Sequence, residues 1–193
     1  MLITHPGANL TQKEVELPSR DSRLFFRRAV PADVDAIVAL VNSAYRGKSS
    51  RSGWTTEADL LDGQRTDAEE IAHLIGASDS LILLCLRDEE IIGSVHLEKV
   101  DAATAYMGML VIRPVLQGQG LGKQFIREAE QAARAEWGTA RMQIQVITLR
   151  EELISYYERR GYRRTGEIRP FPTDPKYGIP KVAGLRFEVL EKV

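Results

Sequence analysis

Apolar residues change their spacing several times along this chain, and each change marks an element. Residues 24–29 read as a first short strand. Pro31, Ala32 and Asp33 then open a segment whose Val34, Ile37, Val38, Val41 and Ala44 share one helical face. The polar link at residues 46–50 ends it. A second helical region, residues 57–75, carries Leu60, Leu61, Ile71, Leu74 and Ile75 and breaks near Gly63. Strands are expected at residues 81–86, 91–97 and 106–112, with Asp88, Glu89 and Glu90 turning the first into the second, as in an antiparallel meander.

Residues 120–137 place Leu121, Phe125, Ile126, Ala129, Ala132 and Ala133 on one face and charges on the other, as in a helix laid on a sheet, and Gly138 can stop it. A strand at 142–147 precedes a helix at 151–160, which has acids in its first turn, arginines in its last and Gly161 beyond. Strand spacing returns at 162–168 and 185–190, separated by a stretch stiffened by Pro170, Pro172, Pro175 and Pro180. Strand, two helices, three strands, helix, strand, helix and two strands describe an α+β sheet layered with helices.

The 193 residues suit one domain, expected over residues 23–193, behind an aperiodic arm at residues 1–22 that carries Pro6 and Pro18. Lysine and arginine number 26 against 27 acids, a net charge of −1, so no global field favours nucleic acid or an anionic membrane and any anion must be bound locally. Cys85, the single cysteine, lies in an apolar run and packs as a small hydrophobe, which suits a reducing compartment. No run of eighteen apolar residues and no leader pattern occurs, so a cytoplasmic protein that uses no membrane is expected. His5, His73 and His96 lack the spacing of metal ligands, and no Gly-x-Ser-x-Gly elbow is present.

The informative stretch is Val111-Ile112-Arg113-Pro114-Val115-Leu116-Gln117-Gly118-Gln119-Gly120-Leu121-Gly122-Lys123, which joins a buried strand to an amphipathic helix. Gly118, Gly120 and Gly122 let backbone approach a ligand closely, and the helix start adds unpaired N–H donors and partial positive charge. Together they fit a pyrophosphate. A Rossmann fingerprint needs glycine where Lys123 stands, and a P-loop needs glycine at Gln117 and Ser or Thr at Gln124, so neither is supported.

Gln117, Gly120 and Gly122 resemble the hallmark of the GNAT acetyltransferases: Gln or Arg, two residues, Gly, one residue, then Gly or Ala. The resemblance includes Val111 and Pro114 upstream and the later Tyr157-Glu158-Arg159-Arg160-Gly161-Tyr162. It implies a mixed, mostly antiparallel sheet of about seven strands with helices on both faces, splayed at the strand before the phosphate turn. It further implies acetyl-CoA as co-substrate, with its pantetheine along Leu110, Val111 and Ile112 and its pyrophosphate on the amides of Gly118, Gln119, Gly120, Leu121, Gly122 and Lys123. Tyr157 takes the general-acid position, and it shares an inward helix face with Leu153 and Ile154, whereas Tyr156 faces elsewhere.

The sequence departs from the family pattern in two places. Arg150 stands where many members have an Asn that holds pantetheine, and Tyr106 and Gln145 stand where some have a catalytic Glu. Glu98 or water is left to take the amine proton. The resemblance implies N-acetylation by direct attack of an amine, on a small molecule or a peptide, in a monomer or homodimer. Tyr45, Trp54 and Phe171 are candidate walls of the acceptor pocket, and Glu57 a candidate partner for a cationic amine. A non-catalytic acyl-CoA-binding module of the same fold is the rival reading.

Overall fold

The computed structural model describes residues 23–193; the arm expected at residues 1–22 lies outside the described residues. The chain runs β1 (Leu24–Arg28), α1 (Val34–Tyr45), α2 (Gly47–Ser50), β2 (Leu61–Asp62), α3 (Ala68–Gly76), β3 (Ser80–Arg87), β4 (Glu90–Lys99) and β5 (Thr104–Ile112). It continues through α4 (Leu121–Trp137), β6 (Arg141–Ile147), α5 (Glu151–Glu158), β7 (Arg163–Pro170), β8 (Ile179–Pro180) and β9 (Arg186–Lys192). Among the described residues one sheet has seven strands in the order β1-β3-β4-β5-β6-β9-β7, while β2 pairs with β8 apart from it.

Strand β3 shows why helices cover both faces. Its residues are buried on both sides, and alternate side chains go to different layers. Ile82, Leu84 and Leu86 cluster with Ile37, Leu40 and Val41 of α1 and Ile71 of α3. Leu81, Leu83 and Cys85 cluster instead with Phe125, Ile126 and Ala129 of α4. The apolar stripes of α1 and α4 therefore each meet one face of the same strand.

All but one of the neighbouring strand pairs are antiparallel; β5 and β6 run parallel. That pairing stops after Thr104↔Arg141, Ala105↔Met142 and Tyr106↔Gln143, and beyond it the two strands diverge. At the same level β5 bulges: its register on β4 shifts between Ser94↔Val111 and His96↔Gly108, and Met109 takes φ +47°. The expected splay is thus present, and the edge of β5 beyond Tyr106 is left without a strand partner on the β6 side.

Two expectations need correction. The helical region at 57–75 is helical only from Ala68, where Asp67 caps α3 by accepting the Glu70 N–H at 2.8 Å. Its first half turns into β2, because Leu61 and Asp62 find Pro180 and Ile179 across the fold and Gly63 turns the chain at φ +83°. The link at 46–50 contains one helical turn, α2, and the proline-rich stretch supplies a 3-10 turn, Pro175–Tyr177, as well as β8.

Candidate active site

Two cavities open where β5 and β6 part. The first, about 480 Å³, is lined by the phosphate turn, the 54–55 loop and α5. The second, about 410 Å³, lies among α1, β4, β5, β6 and the 171–177 segment. Tyr45, Leu110, Leu153 and Tyr157 line both, so the cavities meet at these four side chains.

The first cavity is built chiefly from backbone. Gly118 and Gly120 sit at φ +79° and +83°, a conformation that disfavours any side chain, and a Cβ at either would project into open space. Gly120 caps α4, so the amides of Leu121 and Gly122 precede the helix's own hydrogen-bond ladder. The Lys123 amide, expected among the donors, is bonded to Gly120 O at 3.1 Å. Lys123, Arg159 and Arg160 bring positive charge to the cavity wall, two arginines that the sequence reading did not single out. The cradle, its free donors and its charge fit a pyrophosphate.

Along β5 the expected residues divide by strand alternation. Leu110 and Ile112 line the first cavity, while Val111 lies opposite Ser94 of β4 and is buried. The carbonyls of Leu110 and Ile112 accept from Tyr45 Oη at 2.7 Å and Gln117 Nε2 at 2.9 Å, so these residues turn their backbone groups to the open edge. Gln119 and Leu121 are not among the lining residues.

Gln117 ties the cavity together. Besides Ile112 O, it donates from Nε2 to Thr55 Oγ1 at 3.0 Å and accepts the Trp54 N–H at Oε1, 2.9 Å. The loop can come this close because Gly53 lacks a Cβ, which would stand 2.7 Å from Gln117 Oε1. Arg150 grips the same loop by donating to Trp54 O and Thr56 O, each at 2.8 Å, and pairs with Glu152. The Trp54 indole packs on Tyr156, 4.8 Å between centroids. Trp54 thus walls the first cavity, whereas Phe171 lines the second and Tyr45 stands between them.

Tyr157 is 8% exposed and meets the rings of Tyr156 and Tyr162 edge-on. Burial raises its pKa well above the ordinary tyrosine value, with Tyr45, Tyr156 and Tyr106 adding to the effect. Tyr45 and Tyr162 commit their hydroxyls to Leu110 O and Glu130, but no such partner falls to Tyr157 among the described residues. Its hydroxyl remains protonated at neutral pH and available to a ligand.

The second cavity is built from side chains. Glu57, expected to attract a cation, is paired with Arg46. His96 and Glu98 line it from β4, and Tyr106 and Gln145 from β5 and β6. Ser80 Oγ donates to Leu74 O at 2.8 Å, so its 3.0 Å contact with His96 Nε2 runs from a protonated Nε2 to Ser80, and the His96 lone pair is on Nδ1. Among the described residues no three His, Cys, Asp or Glu side chains group as a metal site, and no helix is long and apolar enough to cross a membrane.

The pattern of the Acetyltransferase (GNAT) family matches residues 48–162, more than half of the chain, and the chain belongs to that family. Among solved structures, a GNAT-family acetyltransferase from Streptococcus pneumoniae is 21% identical, with TM-score 0.63 over 88% of this chain and 99% of that one. A putative acetyltransferase from Salmonella typhimurium, YncA with its cofactor acetyl-CoA, is 18% identical, with TM-score 0.64 over 88% and 93%. A spermidine N-acetyltransferase chimera from Vibrio cholerae and hSSAT is 15% identical, with TM-score 0.65 over 89% and 96%. These likenesses are of fold. No curated protein matches the chain.

Proposed function

We propose that this chain is an N-acetyltransferase that moves an acetyl group from acetyl-CoA to a primary amine by direct attack in a ternary complex. The observation that carries this reading is the meeting of two cavities at Tyr157. One has the glycine turn, free amides and cations suited to a pyrophosphate, and the other has room for an acceptor. Family membership and the neighbour described with acetyl-CoA support the choice of coenzyme.

The chain's groups have distinct roles in this reading. The Gly118 to Gly122 backbone and the open edge of β5 at Leu110 and Ile112 place the thioester at the junction. There the amine nitrogen bonds to the thioester carbonyl carbon, the carbon–sulfur bond breaks, and the sulfur leaves with the electron pair. The Tyr157 hydroxyl donates to that sulfur; because burial holds its pKa high, it acts first as a hydrogen-bond donor to the developing thiolate. Glu98 lies exposed near the end of β4, so the amine proton passes to water.

Release of free thiol from acetyl-CoA, measured with and without a panel of primary amines, tests the reading. Amine-dependent release is expected, with acetylated amine formed in equal amount. Tyr157→Phe is expected to lower kcat by on the order of 10²-fold with coenzyme affinity nearly unchanged, and Tyr156→Phe to do much less. Coenzyme binding with no amine-dependent release would instead favour a non-catalytic binding module. Equal losses in the two tyrosine variants would remove the acid assignment.

A further inference from the structure

The charged side chains of the second cavity are almost all engaged. Arg46 and Glu57 form an ion pair buried against the loop, and Arg150 is held by the carbonyls of Trp54 and Thr56. Glu70 accepts from Thr66 Oγ1 at 2.7 Å, and His96 donates to Ser80. Glu98 lies exposed near the end of β4. Arg65 differs from these. It lines the cavity half-buried, and its guanidinium makes no ion pair or hydrogen bond among the described residues.

The backbone of Arg65 is anchored. Its backbone N–H donates to Asn42 Oδ1 at 2.7 Å, which pins the loop between β2 and α3 onto α1. Its guanidinium carbon then lies 5.8 Å from the centroid of the Tyr45 ring. The hydroxyl end of that ring is bonded to Leu110 O, at the junction of the two cavities. A cation without an ion-pair or hydrogen-bond partner among the described residues therefore stands one aromatic ring away from the junction of the two cavities.

We propose that the acceptor is a primary amine that also carries a carboxylate, with Arg65 holding the carboxylate at the far end of the second cavity. The inference rests on reading that cavity as the acceptor site. The planar guanidinium fork matches a carboxylate through two parallel N–H···O bonds. One arginine without an ion-pair partner balances the single negative charge of a carboxylate better than the double charge of a phosphate. A diamine that reached past the Tyr45 ring would bring its second ammonium against the like charge of Arg65. The Tyr45 ring between Arg65 and the junction requires the carboxylate and the reacting amine to be separated by several bonds, as in an amino acid whose amine ends a carbon chain.

The test compares amino acids of this kind, from β-alanine to 6-aminohexanoate, with alkylamines and α,ω-diamines of the same lengths. For the best length, kcat/KM for the amino acid is expected to exceed that for the alkylamine by tenfold or more. Arg65→Gln should bring that ratio close to one, and Arg65→Lys should keep part of it. A wild-type preference for the alkylamine or the diamine, or a ratio that survives in Arg65→Gln, overturns the proposal and leaves the acyltransferase reading intact.

If no amine releases thiol, calorimetry on protein saturated with coenzyme A separates the two ideas. Amino-acid binding in the wild type that is lost in Arg65→Gln would support the carboxylate site while the transfer reading fails. Binding that does not depend on Arg65 would overturn the site as well.

Discussion

The two cavities differ in what they are made of. The first takes its backbone groups from one stretch, Leu110 to Lys123: amides at a helix start, glycines and the open edge of a strand. The second is assembled from side chains of α1, the loop before α3, β4, β5, β6 and the segment after β7. Backbone recognition needs particular residue types at fixed spacing, because only glycine permits the conformation and only a helix start leaves amides free. Recognition by side chains needs only that they converge in space. The coenzyme side is therefore constrained by local sequence, and the acceptor side by the tertiary fold.

The largest expected effect tests the first half of that contrast. Gly120→Trp places an indole where a Cβ meets no protein atom within 4 Å, so the side chain enters the cradle rather than the core. It also forces a bulky residue to φ +83°, at a cost of about 1–3 kcal/mol. Loss of detectable coenzyme A binding is expected, with the fold retained, and thermal stabilisation by acetyl-CoA should vanish with it. A folded variant whose melting temperature still rises with acetyl-CoA would refute the backbone cradle.

The same contrast explains what could be read from the sequence. The central strands, α4 and the phosphate turn were legible because Leu81 to Leu86 is an unbroken apolar run, Phe125 to Ala133 repeats with the helical period, and Gly118 and Gly120 fall where the turn needs positive φ. The splay and the place of Tyr157 came from the family resemblance rather than from periodicity. Strand β2 was missed because two residues carry no period, and only their pairing with β8 makes them a strand. Arg65, the Arg46–Glu57 pair and the His96 tautomer were beyond reach for a related reason. Each depends on partners distant in sequence, with Ser80 and His96 sixteen positions apart and Arg46 reaching the backbone of Tyr177.

A second, smaller effect should separate the cavities by pH. Burial, helped by the charge of Arg65, pushes the His96 pKa down to about 4, against 6.5 for a free histidine. As pH falls from about 6.5 towards 4, the unfolded chain takes up a proton that the folded chain refuses, so folding stability drops across that window. The loss approaches on the order of 3 kcal/mol at its lower end. His96→Gln can still donate to Ser80 but does not titrate. Relative to wild type its stability should improve by about that amount between pH 7 and pH 4, read from chemical denaturation at each pH. The backbone cradle has no group that titrates there, so a parallel acid dependence in both proteins would remove His96 as the cause.

The smallest effect addresses Gln117, the side chain that ties the backbone of the first cavity together. Gln117 bonds the Trp54 N–H, Thr55 Oγ1 and Ile112 O, and so links the 54–55 loop, the glycine turn and the end of β5. Trp54 is also held through Arg150 and through its packing on Tyr156, so removing Gln117 loosens the wall without dismantling it. Three neutral hydrogen bonds contribute roughly 0.5–1.5 kcal/mol each, but two of their partners lie at a cavity wall where water can replace the lost group. Gln117→Ala should therefore raise KM for acetyl-CoA by about tenfold and leave kcat within a factor of about two, because the Tyr157 hydroxyl is untouched. Were kcat to fall instead, with KM unchanged, the loop would be ordering the acceptor side of the junction. The division between a coenzyme cavity made of backbone and an acceptor cavity made of side chains would then have to be redrawn at Trp54.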